Sequence, residues 1–350
     1  MTKTKIPATI VCNSRNSRTP LTGVQRYTQE LLQRAPEGVK TITPSYPLAG
    51  ASGHLWEQCV LPFHAQGRTL WSPGNTGPLI TKKQVVTIHD LATIDHPEWF
   101  SQRFSTWYNF LLPKLVQRVA HIITISNFTK QRLIERCAVS ENHISVIPNG
   151  VAKSFIPQTP STIRHMRERL KIPSEHYLLA INSLDQRKNI DRQLSAWRNI
   201  QNDIPSDLWL VLFGGTEPSN IFSHSYPRNI PSRVHIVGYV PDNVLAPLYA
   251  GAIVFLYLSM YEGFGLPVLE AMASGTPVLT SNLSALPEIA RDNAICVDPY
   301  REDEISSALL SLIQDTSLRE ALSEKGRTHA SLFSWEKSAY MTFNILKDIS

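Results

Sequence analysis

Nine short, nearly uninterrupted apolar runs alternate with helix-period segments along this chain and leave it few ways to fold. In the first half they are Thr9–Cys12, Val85–Ile88, Ile122–Ile125 and Ile144–Ile147. In the second half they are Leu178–Ile181, Trp209–Phe213, Val234–Val237, Ala252–Tyr257 and Pro277–Thr280. Segments with helical spacing lie between them, among them Val24–Arg34, Phe128–Cys137, Ile190–Ile200 and Glu302–Gln314. A strand that is apolar on both faces must be covered on both faces, and helices between strands supply that cover. The pattern predicts an α/β protein with parallel sheets.

The chain has 350 residues, too many for one ordinary core and suited to two domains. Pro148-Asn149-Gly150, followed by Pro157 and Pro160, breaks the series in the middle. Two doubly wound domains are therefore expected, 1–150 and 151–333, with a linker near 148–160 that is a candidate hinge. Such sheets bind ligands beyond the carboxyl ends of their strands, which places the expected active site in a cleft between the two.

Composition narrows the function classes. Residues 1–150 hold 16 Lys and Arg against 8 Asp and Glu, a net of +8, whereas residues 151–350 hold 18 against 21, a net of −3. The basic excess of the first half suits solubility, a phosphate-bearing acceptor or an anionic membrane. It forms no dense run, so a nucleic-acid partner is not expected. Cys12, Cys59, Cys137 and Cys296 show no metal or CxxC spacing, which fits reduced thiols in the cytoplasm. No signal peptide is read at the start. Asn243–Tyr261 is uncharged, but Pro247 and Gly251 interrupt it and Ala252–Leu258 reads as a short buried strand, so a membrane span is not expected.

The chemistry concentrates in Tyr261–Pro287, Y-E-G-F-G-L-P-V-L-E-A-M-A-S-G-T-P-V-L-T-S-N-L-S-A-L-P. Strand Ala252–Tyr257 precedes a loop, Glu262-Gly263-Phe264-Gly265, and Leu266-Pro267 opens a helix through about Ser274. Proline suits a first helical turn, and the glycines let backbone approach a ligand. The helix start is an anion site. Glu270, one turn in, can accept hydrogen bonds from vicinal hydroxyls, and Glu262 can hold a second sugar. The bland alternative is a strand–loop–helix with two surface glutamates. A second segment, Asn182-Ser183-Leu184-Asp185-Gln186-Arg187-Lys188-Asn189, follows strand Leu178–Ile181. Two adjacent cations at a strand end can neutralise a diphosphate leaving group, though alone such a pair is an ordinary solvated turn.

Weaker features complete the set. Gly23, in Thr22-Gly23-Val24-Gln25-Arg26-Tyr27, opens a helix after the first strand. His89 emerges where Val85–Ile88 ends and can meet a sugar at the reacting carbon, with Asp90 to orient it; a structural His-Asp is the competing reading. Gly214-Gly215 and Gly238-Tyr239-Val240 lie at strand ends near a nucleotide. Phe104–Val116 is an aromatic stripe with Lys114, read as core before membrane contact. No HxxxH-type or other metal spacing surrounds His89, no GxSxG appears, and no GxGxxG follows the first strand, so a metal site, acyl transfer and a nicotinamide oxidoreductase are not expected.

Taken together, Glu262-x7-Glu270 with G-F-G-L-P, Arg187-Lys188-Asn189, the Thr22-Gly23 loop and His89-Asp90 resemble retaining glycosyltransferases of family 4, over nearly the full length. The resemblance implies the GT-B fold, two Rossmann-like domains facing across a cleft, and a last helix, begun at Phe333-Ser334-Trp335, in which residues 334–350 cross back to the first domain. It implies that Arg187 and Lys188 bind the donor diphosphate and that Glu270 binds the ribose. Glu262, with backbone of Gly263, Phe264, Gly265 and Leu266, would hold the donor sugar. His89 would face the transferred sugar, Gly23 a phosphate, and Gly238, Tyr239 and Val240 the base. Many relatives carry two or more glycines in the first loop, where this chain has Leu21-Thr22-Gly23. T-G-V-Q-R-Y with N-S-L-D-Q-R-K-N is most similar to bacterial mannosyl- or related hexosyltransferases of polysaccharide or lipopolysaccharide assembly.

The expected reaction is hexose transfer, with retention, from a nucleotide diphosphate sugar (GDP-mannose favoured) to a saccharide or lipid-linked acceptor. It needs no cofactor and no metal, because the cations and the helix end meet the growing charge. The protein would work in the cytoplasm, peripherally on the inner face of an anionic membrane. The alternatives are an epimerase or hydrolase of the same fold, which needs no acceptor, and a non-catalytic nucleotide-sugar-binding partner, which binds donor without transfer.

Overall fold

The computed structural model describes residues 10–15, 23–48, 50–183, 185–215 and 229–350. They form two compact units. The first holds the described residues up to Asp95, then Gln102–Gly150 and Ser334–Ser350; the second holds His96–Ser101 and Val151–Phe333.

The first unit is built on strands β1 (Ile10–Asn13), β2 (Lys40–Ile42), β3 (Thr69–Ser72), β4 (Gln84–Ile88), β5 (His121–Thr124) and β6 (Ile144–Val146). All pair in parallel, in the order β2-β1-β3-β4-β5-β6. Helices α1 (Gly23–Gln33), α2 (Gly50–Cys59), α3 (Leu61–Ala65), α4 (Ala92–Asp95), α5 (Gln102–Val116) and α6 (Asn127–Cys137) connect them. The local signals that start and stop α6 are visible in its chemistry. Ser126 Oγ accepts the Thr129 N–H at 3.1 Å, and Ala138 turns left-handed at φ 51° to close the helix. In α5 the residues Leu111, Leu112, Leu115 and Val116 are buried, as expected for core, while Phe110 is half exposed with Lys114 Nζ 3.6 Å from its ring centroid.

The second unit has strands β7 (Tyr177–Ile181), β8 (Trp209–Phe213), β9 (Val234–Gly238), β10 (Val254–Tyr257), β11 (Val278–Ser281) and β12 (Ile295–Val297). They too are all parallel, in the order β12-β11-β10-β7-β8-β9. Helices α7 (Pro160–Leu170), α8 (Ile190–Ile200), α9 (Asp242–Ala250), α10 (Leu266–Ala273), α11 (Leu286–Ala290), α12 (Glu302–Gln314) and α13 (Thr316–Ala330) cover the faces. Alternate residues of β7, β8 and β10 meet Leu194 and Trp197 of α8 in one continuous core. The uncharged stretch after Asn243 divides into α9 and β10, and no described helix is long and apolar enough to cross a membrane.

The last helix, α14 (Trp335–Ile349), packs into the first unit. Ser334 Oγ accepts the Lys337 N–H at 3.1 Å and starts it. Its Trp335 meets Tyr27 edge-on at 6.2 Å, and Phe343 meets Trp71 at 5.8 Å. A side chain at Gly150 would collide with the Trp335 backbone, so the breaker before the second unit is also a close-approach glycine.

Candidate active site

In the second sheet the chain runs outward from β7 through β8 to β9, then returns to lay β10 on the other side of β7. The loops leaving β7 and β10 therefore part in opposite directions. That switch point is where an open parallel sheet leaves a crevice for a ligand. The two loops are 182–189 and 258–265, the two segments that carry the sequence motifs.

One backbone bond and the Asn189 side chain hold the loops together. Met260 N–H donates to the Arg187 carbonyl at 2.8 Å, and Asn189 Nδ2 donates to the carbonyls of Leu258 at 3.2 Å and Pro299 at 2.8 Å. Asn189 sits left-handed at φ 55°, turning the 3-10 segment Gln186–Lys188 into α8. The side chain of Asn182, at the end of β7, is 1% exposed. Neither of its amide atoms has a partner among the described residues. A buried amide left unbonded is costly, and a polar ligand in the crevice would relieve it.

Both cations carry a built-in counter-ion. Arg187 Nε and Nη2 reach Asp185 Oδ2 at 2.9 and 2.6 Å, and Asp185 Oδ1 also accepts the Arg187 N–H at 3.0 Å. Lys188 Nζ donates to Glu262 Oε1 at 2.5 Å and to the Tyr257 hydroxyl at 2.7 Å; the hydroxyl donates to the same Oε1 at 2.9 Å. Burial alone would discharge these groups, and their pairing overrides it. Burial works to lower the Lys188 pKa, but Glu262 and then Tyr257 outweigh it, and the net shift is upward. Burial works to raise Glu262, but Lys188 and Arg187 hold its carboxyl below its usual range. Asp185 follows the same logic, with Arg187 outweighing burial. Lys188, Tyr257 and Glu262 thus form a closed, charged triangle.

Gly265 caps α10 at φ 118°, a left-handed backbone that favours glycine; a Cβ there would lie 2.8 Å from Leu286 Cδ2, a side-chain end that can give way. Pro267 sits in the first turn of α10. Gly263 and Phe264 are buried beside it, and Leu266 begins the helix. Glu270 is 5% exposed, one turn in, and its Oε2 accepts from the Tyr249 hydroxyl at 3.4 Å. The fold thus brings Arg187, Lys188, Glu262 and the Gly263–Leu266 backbone to one crevice. Gly238, Tyr239 and Val240 lie at the carboxyl end of β9, two strands out from β7. Tyr239 is exposed there and Val240 buried.

The first-half candidates belong to the first unit. Gly23 is the exposed first residue of α1, and a Cβ would meet nothing within 4 Å, so no local contact demands glycine. Thr22 and Leu21 lie outside the described residues, as does Leu184 of the second motif. His89 follows β4, 6% exposed. Its Nε2 lies 2.7 Å from the Pro73 carbonyl, which can only accept, so Nε2 carries the proton and Nδ1 is the basic nitrogen. Burial lowers its pKa, and the ring is neutral at pH 7. Pro73 therefore supplies the orienting bond expected of Asp90, whose Oδ1 accepts the Ala92 N–H at 3.0 Å.

Three participants were missed in the sequence. Asp185 was visible two residues before Arg187, a spacing that suits a bidentate clamp. Tyr257 ends β10 with only its position to mark it. The segment His96–Ser101 gave no signal at all. It belongs to the second unit, where His96 stacks on Trp99 at 3.9 Å and meets Tyr261 edge-on at 5.5 Å. The Phe100 ring lies 5.6 Å from the Arg187 guanidinium carbon.

Comparisons with known proteins bear on the family and the fold. Residues 162–329 match the family described as Glycosyl transferases group 1, and residues 60–155 match Glycosyltransferase Family 4. The chain is 31% identical over 268 residues to O-antigen chain mannosyltransferase B of Escherichia coli, spanning 76% of this chain and 70% of that protein. It is 30% identical over 244 residues to O-antigen chain mannosyltransferase RfbU of Salmonella typhimurium, spanning 69% of this chain and 63% of the relative. Among solved structures, a sucrose-phosphate synthase from Thermosynechococcus elongatus superposes with a TM-score of 0.76 at 21% identity, covering 97% of this chain and 98% of that one. WaaG, a glycosyltransferase involved in lipopolysaccharide biosynthesis, superposes with a TM-score of 0.73 at 17% identity, covering 96% and 99%. With its two six-stranded Rossmann-like sheets and these matches, the chain belongs to the group 1, family 4 glycosyltransferases of GT-B fold.

Proposed function

We propose that this glycosyltransferase moves mannose from a nucleotide diphosphate sugar, GDP-mannose, to a hydroxyl of a saccharide or lipid-linked acceptor in O-antigen or related glycan assembly, with retention at the anomeric carbon. The observation that carries the reading is the convergence of Lys188, Arg187, Glu262 and the α10 N-terminus at the β7–β10 switch point. The mannosyltransferase names of the similar Escherichia coli and Salmonella proteins support the sugar. The HepE structure from Anabaena, similar in fold, is described in complex with UDP-glucose, which supports a nucleotide diphosphate sugar as the donor class.

Donor binding is an exchange of ion pairs. The diphosphate draws Lys188 from Glu262 and engages Arg187, and the released Glu262 accepts hydrogen bonds from the sugar hydroxyls. Glu270 takes the ribose hydroxyls. Backbone of Gly263, Phe264, Gly265 and Leu266 lines the sugar and phosphate, and Gly238, Tyr239 and Val240 border the base. From the first unit, His89 is assigned to the transferred sugar and Gly23 to a phosphate. As the glycosidic C–O bond to phosphate breaks, negative charge grows on the diphosphate. Preorganised cations and the helix end stabilise it, so the step needs no metal. The departing phosphate takes the acceptor proton on the same face, which gives retention. The protein acts from the cytoplasmic side, peripherally on an anionic membrane.

A thermal-shift panel of GDP-mannose, UDP-glucose and a dTDP-sugar tests the donor, since a ligand bound only by the folded state raises the melting temperature. Proton NMR of the product tests the stereochemistry. A shift with UDP-glucose alone refutes the donor, and an inverted anomeric centre refutes the mechanism.

A further inference from the structure

Between Glu37 and Asp90 the chain contains one acidic residue, Glu57. That carboxylate is fully buried, accepting from Asn13 Nδ2 at 2.6 Å beside Arg15. The described surface of residues 38–89 therefore exposes no acid. The same stretch exposes Tyr46, Leu55, Val60, Phe63 and Ile80, five of the twelve large apolar side chains exposed among the described residues. Phe63 and Ile80 are 78% and 75% exposed, so they are displayed rather than half packed. Leu55, Cys59 and Phe63 follow at four-residue spacing along α2 and α3, giving those helices an outward apolar stripe. The stripe borders an open concavity lined by Phe63, Gln66, Arg68, Ile80, Lys82 and Lys83. Lys83 Nζ also donates to the Ser350 carbonyl at 2.7 Å.

We propose that this face seats on an anionic phospholipid bilayer, with the Leu55, Phe63 and Ile80 side chains in the headgroup–acyl boundary and Arg68 and Lys82 on lipid phosphates. Apolar tips displayed among cations, on a stretch that exposes no acid of its own, match the chemistry of that interface. The +8 of residues 1–150 adds long-range attraction to the same sign of surface. A second copy fits less well, because a two-fold contact would bring two sets of Arg68 and Lys82 to one seam. The inference deepens the membrane-facing part of the proposed function. Its test uses neither donor nor acceptor, so failure of docking and failure of transfer are read separately.

The experiment is co-sedimentation of the full chain with vesicles of phosphatidylcholine alone or with added phosphatidylglycerol, at low and physiological salt. The wild type is expected to bind the anionic vesicles, more weakly as salt rises. Each basic residue is worth about fivefold in partitioning. Arg68→Glu/Lys82→Glu should therefore lose at least about twentyfold, and Phe63→Ser/Ile80→Ser about tenfold. Lys325→Glu, an exposed charge reversal in the second unit, should bind as wild type. Circular dichroism and thermal melts of the unliganded chain keep the folded state in view. Equal binding to neutral vesicles, or unchanged binding in both double variants, overturns the proposal. So does a dimer in light scattering that the apolar variant dissolves, because the face would then be a self-association surface.

Discussion

Tyr257→Phe removes a single oxygen from the middle of the Lys188–Glu262 pair. The ring itself stays packed, stacked on Phe255 at 5.8 Å. Two hydrogen bonds vanish, to Lys188 Nζ at 2.7 Å and to Glu262 Oε1 at 2.9 Å, while the direct 2.5 Å ammonium–carboxylate contact remains. A hydrogen bond to a charged group is worth about 1.5–3 kcal/mol, and two that share one ion pair are not additive. The side chains of Lys188 and Glu262 are 19% and 13% exposed, so water replaces little of what is lost. The expected cost is about 2 kcal/mol, or roughly 4–8 °C in melting temperature for a domain of this size. Kinetics should separate positioning from bulk stability. If the hydroxyl holds Lys188 where the leaving charge grows, kcat at saturating donor falls about tenfold, 1.4 kcal/mol, with little change in donor KM. Scanning calorimetry and initial rates at neutral pH read both numbers. The decisive control is the same substitution in a Lys188→Met background, where the hydroxyl has lost its cation and should cost less than half as much. A melting temperature within about 1 °C of wild type with normal kcat, or an undiminished cost in the Lys188→Met background, would refute the triangle.

Other expectations follow from the same contacts. Glu270→Ala should raise donor KM about thirtyfold, the equivalent of about 2 kcal/mol in hydrogen bonds to a charged acceptor. Unchanged donor affinity in calorimetric titration would remove Glu270 from the ribose. Lys188→Ala should lower kcat about 10²–10³-fold at saturating donor, and normal single-turnover rates would dismiss its leaving-group role. Trp99→Ala, at a site 5% exposed, should cost about 3–5 kcal/mol. Hydrogen exchange should report the loss at residues 258–265 of the second unit; loss confined to the first unit would refute the assignment of the 96–101 segment. His89 is held neutral by burial, so its folded pKa lies below the ordinary 6.5. The unfolded state then binds the extra proton first, and stability present above pH 6.5 is lost as pH falls from there toward the folded value. His121, also lowered by burial, adds to the slope. Urea melts of His89→Gln should show a flatter dependence between neutral and mildly acidic pH, and an unchanged slope would mean the buried ring is not the titrating group.

How far the site was legible depended on how local each signal is. The Gly265-Leu266-Pro267 helix start and the Arg187-Lys188 turn could be read because caps, glycines and adjacent charges act within a few residues. Tyr257 could not, because a tyrosine ending a buried strand reads as core until Lys188, 69 residues earlier, is placed against its hydroxyl. His89 was legible as a strand-end histidine, but its partner was misassigned. Asp90 is adjacent in sequence, whereas the Pro73 carbonyl arrives through the pairing of β3 with β4. The short strands Lys40–Ile42, Thr69–Ser72 and Ile295–Val297 escaped notice for related reasons. The outer two lie at sheet edges and are partly solvated, and Thr69–Ser72 holds two apolar residues between two buried polar ones.

By itself the sequence determined the class of the molecule. Runs apolar at every position demand cover on both faces, and helical segments between them make the strands parallel. The G-F-G-L-P helix start and the paired cations marked where an anion-binding site was to be expected. Strand order was settled only in three dimensions. The sheet order β12-β11-β10-β7-β8-β9 turns on the β7–β10 pairing, which joins residues as distant in sequence as Leu178 and Val254 and to which no local periodicity is sensitive. That order sets β10 beside β7, so that Glu262 meets Lys188 and each cation waits on a carboxylate of its own chain. It also sends residues 96–101, cut from the first half of the chain, to pack against Arg187 and Tyr261. Local sequence encodes period and punctuation, whereas neighbours across a sheet are chosen by the free energy of burying all the faces at once.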